Sequence, residues 1–239
     1  MTDKKTTDYF NKEAPEYSAG RFDFSVDFLN RHARKGSTLA DVGCGNGNVL
    51  EYILRTTPIE HVVAIDASDR YIEQVRERLR CPAICCSILD DMFGHVIDRQ
   101  FDFVVMGALL HHLVGKTRKA SWMNAQRSVR NALSIVRSGG YLLIHEPVFY
   151  PSYVMTAVFW LKRIVSSFFS GRISILGHWN NIGEPVVSYY TNEKLRYFLT
   201  SLSDAQLMEE DVVEASLSTV MRLMGISRKT NSTFVLKKI

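Results

Sequence analysis

The chain has 239 residues, 46% of them hydrophobic and 11% aromatic, which is enough for one sizeable core and excludes disordered, collagenous and coiled-coil classes. Its 29 basic and 25 acidic residues leave a formal charge of only +4, too small an excess to argue nucleic acid by itself. Four cysteines, Cys44, Cys81, Cys85 and Cys86, are too few and too clustered for a disulfide framework, so a cytoplasmic, reducing location is expected.

In chain order, Met1 to Asp8 is polar and has no apolar signal-peptide region, and residues 6–34 are predicted to form one or two N-terminal helices. Short apolar runs then alternate with amphipathic stretches. Thr38–Gly43, His61–Asp66, Ala83–Ser87, Phe101–Met106 and Tyr141–Glu146 read as strands buried on both faces. Asn48–Thr57, Asp69–Arg80 and Lys119–Arg137 carry helical spacing between them. Strands alternating with helices predict βαβ units, hence a parallel sheet in an α/β fold with helices on both faces. Arg137-Ser-Gly139-Gly140 reads as the basic last turn and glycine cap of the third long helix. Residues 147–190 look irregular, Thr191–Thr200 helical, and Gln206–Ala215 and Thr233–Lys237 like two closing strands. With no repeat, low-complexity tract or Gly/Ser linker, the chain reads as one domain over residues 1–239. The uncharged run from Pro147 to Leu161, about 15 residues with two prolines, is short of the roughly 18 to 20 needed to span a bilayer.

The richest segment is Leu39-Ala-Asp41-Val-Gly43-Cys-Gly45-Asn-Gly47-Asn48, a buried strand entering three alternating glycines and then a helix. Glycine there lets the backbone turn tightly and touch a ligand. A dinucleotide G-x-G-x-x-G fingerprint fails, because position 48 is asparagine, and no Gly-Lys-Ser/Thr follows to make a P-loop. Asp66 ends the second strand about twenty residues on, where a carboxylate can accept both hydroxyls of a ribose.

Asp41-x-Gly43-x-Gly45-x-Gly47 with Asp66 resembles the cofactor site of class I S-adenosylmethionine-dependent methyltransferases. Phe101–Met106 resembles the fourth strand of that family, Leu109-Leu-His-His-Leu113 the loop after it, and Leu133–Ile144 the segment leading into its fifth strand. Tyr9–Tyr17 resembles the opening helix of the small-molecule members related to ubiquinone and menaquinone biosynthesis enzymes. The resemblance covers residues 9–147, while residues 148–190 match no recognisable motif. It implies a Rossmann-like, seven-stranded, mostly parallel sheet with its last strand antiparallel, and S-adenosylmethionine across the C-terminal edge. It also implies roles for individual residues. Gly43, Gly45 and Gly47, with Asp41, would approach the methionine and ribose portions, and Asp66 the ribose. Ser87 and Ile88 would lie at the adenine, and Met106 and Gly107 beside the sulfonium.

Methyl transfer to a weakly acidic hydroxyl or carbon needs a base, and His111, His112, His145 and Glu146 stand at the expected catalytic edge. His112 and Glu146 are the expected catalytic residues; the alternatives are that the histidines only cap a helix or bond to backbone and that Glu146 orders the loop at Pro147. Met106-Gly-Ala-Leu-Leu-His stands where base N-methylating relatives carry Asn-Pro-Pro-Tyr, and no RNA-binding module is appended. The expected acceptor is therefore a small, apolar or amphipathic molecule, with no nucleic acid and no metal. Cys81, Cys85 and Cys86 are expected to be buried packing. Residues 148–190 are the expected lid, within which residues 152–169 carry a wide apolar surface that packs on the domain, covers the acceptor or contacts a membrane. A non-catalytic S-adenosylmethionine-binding regulator and an RNA methyltransferase are the alternatives. Between Phe103 and Gly183, nine basic residues stand against one acid, Glu146, and their placement decides whether they form a face.

Overall fold

The computed structural model describes residues 22–168 and 186–239. Residues 6–21 of the expected N-terminal helices, with the Tyr9–Tyr17 motif, and residues 169–185 of the expected lid lie outside the described residues. The elements are α1 (Asp23–His32), β1 (Thr38–Val42), α2 (Asn48–Thr56), β2 (His61–Asp66), α3 (Asp69–Leu79), β3 (Ala83–Cys85), α4 (Phe93–Ile97) and β4 (Phe101–Gly107). A single 3-10 turn, Leu110–His112, follows, then α5 (Arg118–Ser134), β5 (Val136–Tyr150), α6 (Ser152–Phe168), α7 (Asn192–Thr200), β6 (Ala205–Glu214), α8 (Thr219–Leu223) and β7 (Arg228–Lys238).

One seven-stranded sheet runs in the order β3-β2-β1-β4-β5-β7-β6. β1 to β5 pair in parallel, and β7 is antiparallel to both of its neighbours. The central strands are continuous apolar runs because helices cover both faces. Val26, Leu29, Leu50, Ile53, Ile72 and Val75 of α1, α2 and α3 pack on one face. Phe93, Ala125, Val129, Leu133, Leu195 and Phe198 of α4, α5 and α7 pack on the other. Helix starts are set by side-chain caps: Ser68 accepts from Tyr71 N, Thr117 from Ala120 N and Thr191 from Lys194 N. The strand order reverses direction between β1 and β4, which opens a crevice at their C-terminal ends, where ligands bind in open α/β sheets.

Three expectations are corrected here. α5 stops at Ser134, because Ile135 and Val136 are wholly buried and Val136 already pairs with Phe101. Gly139 and Gly140 therefore serve a register shift inside β5 instead of capping the helix: Gly139 has φ +74°, and a Cβ on Gly140 would lie 2.8 Å from the Asp102 carbonyl oxygen. β5 does not end at Glu146 but continues to Tyr150 against β7, and Pro147 is tolerated because β4 ends at the Gly107–His145 pair. Of the three cysteines expected to be packing, Cys86 is buried, Cys81 is half-buried and Cys85 is exposed, since β3 is the edge of the sheet.

The basic residues of the central segment that the structure describes have different surroundings. Arg127 pairs with Asp91, and Arg137 with Asp102 at 2.5 Å. Lys162 is buried, and the Arg118 and Arg163 guanidiniums donate to the carbonyls of Tyr189 and Gly115 at 2.7 and 2.9 Å. Arg172 lies outside the described residues.

Candidate functional site

The loop between β1 and α2 is shaped by three glycines with positive φ, and each is required for a different reason. Gly43 (φ +76°) has no room for a side chain, as a Cβ would sit 2.8 Å from Leu109. Its N–H and that of Cys44 donate to the Ile65 carbonyl at 2.8 and 3.2 Å, tying the loop to β2. Gly47 (φ +79°) starts α2, and a Cβ there would meet Val75 at 2.9 Å. Gly45 (φ +52°) is the exception: nothing lies within 4 Å of its Cβ position. The backbone at Gly45 therefore borders open space, as a ligand-facing turn must.

Two carboxylates stand under this turn. Asp66 accepts from Gly45 N at 3.0 Å with Oδ2 and from Ser68 N at 2.9 Å with Oδ1, so it braces the loop while each oxygen keeps a lone pair for another donor. Burial raises its pKa, and these backbone N–H groups pull against that rise. Asp41, buried at the end of β1, is pushed up to about 7 by burial and by the charge of Asp66. Its Oδ2 is buried with no hydrogen-bond partner among the described residues. An unsatisfied carboxylate oxygen beside a second carboxylate suits a cationic ligand that brings its own donors. Arg78 closes the outer side of the loop, donating to Asn48 Oδ1 at 2.8 Å and to the Asn46 carbonyl.

The remaining expected cofactor residues divide. Ser87 follows β3 beside Asp66, whose carbonyl accepts from Cys86 N at 2.9 Å, and is half-exposed. Ile88 and Met106 have side chains buried in the larger core, so any ligand contact from them is through backbone. Gly107 faces the ring of Phe22, which a Cβ there would approach to 2.8 Å. Ala108 follows with φ +54°, a costly conformation for alanine at the end of the strand that points at the crevice.

A second cluster lies across β4 and β5. Glu146 Oε2 bonds His111 Nδ1 at 2.8 Å, and Oε1 accepts from Leu110 N at 2.6 Å. Glu146 therefore fixes both the turn after β4 and the ring that the turn carries. His111 stacks on Tyr189 (4.9 Å between centroids) and on His112 (4.1 Å), and its carbonyl accepts from Ser188 N at 2.9 Å. Tyr189 in turn meets Phe149 at 4.4 Å. His145 points to the opposite face of the sheet, where its ring meets Phe22 at 4.5 Å and its Nδ1 meets Thr233 Oγ1 at 3.0 Å. Of the two adjacent histidines, it is thus His111 and not His112 whose ring bonds Glu146.

Residues 40–144 match the family model described as "Methyltransferase domain". The chain is 29% identical over 112 residues to the human "Probable tRNA methyltransferase 9B", covering 47% of this chain and 22% of that protein. It is 28% identical over 85 residues to the "Ribosomal protein L11 methyltransferase" of Thermotoga neapolitana, covering 36% of this chain and 32% of that one. The chain thus spans between a fifth and a third of the length of these curated relatives. Among solved structures, the magnesium protoporphyrin IX methyltransferase of Synechocystis, with bound S-adenosylhomocysteine, superposes with a TM-score of 0.61 at 13% identity, covering 99% of this chain and all of that one. Residues 40–144 are thus similar to a methyltransferase domain, and the chain shares its fold with a solved methyltransferase.

Within the matched segment lie the glycine loop, Asp66 and the His111–His112 turn, while Glu146 stands just beyond its end. His111 stood among the sequence candidates at this edge, but its bond to Glu146 was not legible, because the two residues lie 35 apart on different elements. Ser188 and Tyr189, which pack against the His111 turn, carry no motif and were not legible.

Proposed function

We propose that this protein transfers the methyl group of S-adenosylmethionine to a small, apolar or amphipathic acceptor. The observation that carries the reading is the buried Asp41 beside the half-buried Asp66 beneath the open backbone of Gly45, with Asp41 Oδ2 lacking a donor among the described residues. Asp66 offers its remaining lone pairs to ribose hydroxyls, Asp41 meets the positive charge of the methionine portion, and Ser87 borders the adenine. Bound there, S-adenosylmethionine supplies a sulfonium-activated methyl group, so this chain has chiefly to align an acceptor and exclude water.

On the acceptor side, the aromatic side chains of Phe149 and Tyr189 lie beside His111 and favour an apolar body. The bond from Nδ1 to Glu146 assigns the His111 proton to that nitrogen and leaves Nε2 as the basic one. His111 is therefore the base for a hydroxyl or acidic carbon, Glu146 is its positioning residue, and His112 flanks it as the stacked ring. The nucleophile takes the methyl from sulfur and its proton passes to His111 Nε2.

A second reading, an RNA acceptor, is favoured by the similarity to a protein named as a tRNA methyltransferase. The test is incubation with methyl-labelled S-adenosylmethionine and a cell extract, followed by fractionation and mass spectrometry. Label in a small organic product, lost in His111→Ala, supports the proposal. Label confined to ribonuclease-sensitive material selects RNA. No transfer to any pool, with cofactor binding intact, leaves a non-catalytic binding protein and overturns the proposal.

A further inference from the structure

α6 has two unlike faces. Met155, Val158, Phe159 and Lys162 are buried, and Met155 and Val158 share an apolar cluster with Phe149 and Tyr189 of the acceptor side. The opposite face is exposed and apolar: Tyr153 is 73% exposed, Trp160 41%, Leu161 59% and Ile164 54%, with Ala157 exposed between them. At about 100° per residue these five positions form one stripe over three turns. The stripe continues onto a neighbouring element, because Val154 Cγ2 lies 3.6 Å from the Cβ position of Gly225, just past α8, and Leu223 at the end of α8 is 83% exposed.

Cations surround this patch. Arg163 beside the stripe donates to the Gly115 carbonyl, which brings the exposed Lys116 and Lys119 to that flank. Arg222 is exposed next to Leu223. None of these four has a carboxylate within ion-pair distance among the described residues, whereas Arg127 and Arg137, farther along the chain, are each paired. The stretch from Phe103 to Gly183 contains no acid but the buried Glu146. Exposed Trp and Tyr among aliphatic residues, fringed by unpaired cations, is the composition of a helix lying in a headgroup region. Among the described residues no helix is long and apolar enough to cross a membrane.

We propose that the exposed stripe of α6, with Leu223 of α8, docks on a lipid bilayer surface bearing anionic headgroups. The aliphatic and aromatic side chains enter the acyl boundary, and Lys116, Lys119, Arg163 and Arg222 face the phosphates. Because the buried side of the same helix packs against Phe149 and Tyr189, docking holds the acceptor side of the candidate site against the membrane. The proposal concerns binding alone and stands whether or not the methyl-transfer reading does.

The test is flotation of the full chain with phosphatidylcholine vesicles, with and without phosphatidylglycerol, using wild type, Trp160→Glu/Leu161→Glu and Lys116→Glu/Lys119→Glu. Each variant is first shown to keep the wild-type melting temperature, since all four positions are exposed. Wild type is expected to float with the anionic vesicles, and the apolar double variant to bind at least about tenfold more weakly. The charge double variant loses the preference for phosphatidylglycerol, and salt weakens wild-type binding. Failure of wild type to float with either vesicle, or equal flotation of the apolar double variant, overturns the proposal. So does sedimentation showing a dimer that the apolar double variant dissociates, which assigns the stripe to a second copy of the chain.

Discussion

The two edges of the crevice are built from different materials. The cofactor edge is made of backbone: glycines at positive φ, N–H groups converging on Asp66, and a carboxylate beneath them with an oxygen to spare. The acceptor edge is made of side chains, a Glu146–His111 pair clasped by Tyr189 and Phe149, with Ser188 bonded to the turn. Backbone geometry is specified by glycine spacing and leaves a motif, whereas a side-chain wall can be assembled from residues far apart in sequence. That difference explains why the ligand of one edge follows from the sequence and that of the other does not.

The largest expected effect breaks the cofactor edge alone. Asp66→Ala removes the proposed ribose acceptor and the brace on Gly45, and loss of hydrogen bonds to a charged group at about 1.5–3 kcal/mol each predicts at least a hundredfold loss of S-adenosylmethionine affinity by calorimetry. An unchanged affinity would show that the carboxylate only supports the loop. The counterpart on the acceptor edge is Glu146→Gln. It is expected to lower kcat about tenfold to a hundredfold and to shift the pH profile while leaving cofactor affinity within about twofold.

A smaller effect separates the glycines. Gly43→Ala and Gly47→Ala force a Cβ into contacts of 2.8 and 2.9 Å and are expected to cost about 1–3 kcal/mol of stability in chemical denaturation. Gly45→Ala meets nothing in the protein, so it should cost about 1 kcal/mol through its backbone alone and show its main loss in ligand affinity.

A further effect is one of pH. Asp41 titrates at about 7 in the folded chain against 3.8 when unperturbed, so the folded state holds a proton that the unfolded state has lost across that window. Its contribution to ligand-free stability is full below about pH 4 and fades as pH rises through about 7. A cationic ligand favours ionised Asp41, and its affinity should rise up to about tenfold per pH unit below 7 and then level. Asp41→Asn is expected to flatten both curves, measured by thermal melts and titrations at stepped pH.

Parallel pairing of the first five strands was legible because apolar runs buried on both faces alternate with helices, and the antiparallel last strand followed from the family resemblance. The end of α5 was not, since Gly139-Gly140 reads as a helix cap until the pairing of Val136 with Phe101 is known. Nor was the length of β5: Pro147 reads as a strand breaker, and only β7 alongside, with β4 already ended, makes its place in the strand inexpensive. At the site, the structure brings Gly43, Gly45 and Gly47 together with Asp41 and Asp66 at the ends of β1 and β2. Met106 faces the core through strand alternation, and Ile88 is buried from the turn after β3.

The most direct measurement is a crystal structure of the chain with S-adenosylhomocysteine. The account requires the ribose hydroxyls within about 2.6–3.0 Å of the Asp66 carboxylate, the ligand backbone of that site at Gly45, and a donor on Asp41 Oδ2. A ligand seated elsewhere, or one leaving Asp41 Oδ2 without a donor and Asp66 bonded only to Gly45 and Ser68, would contradict it.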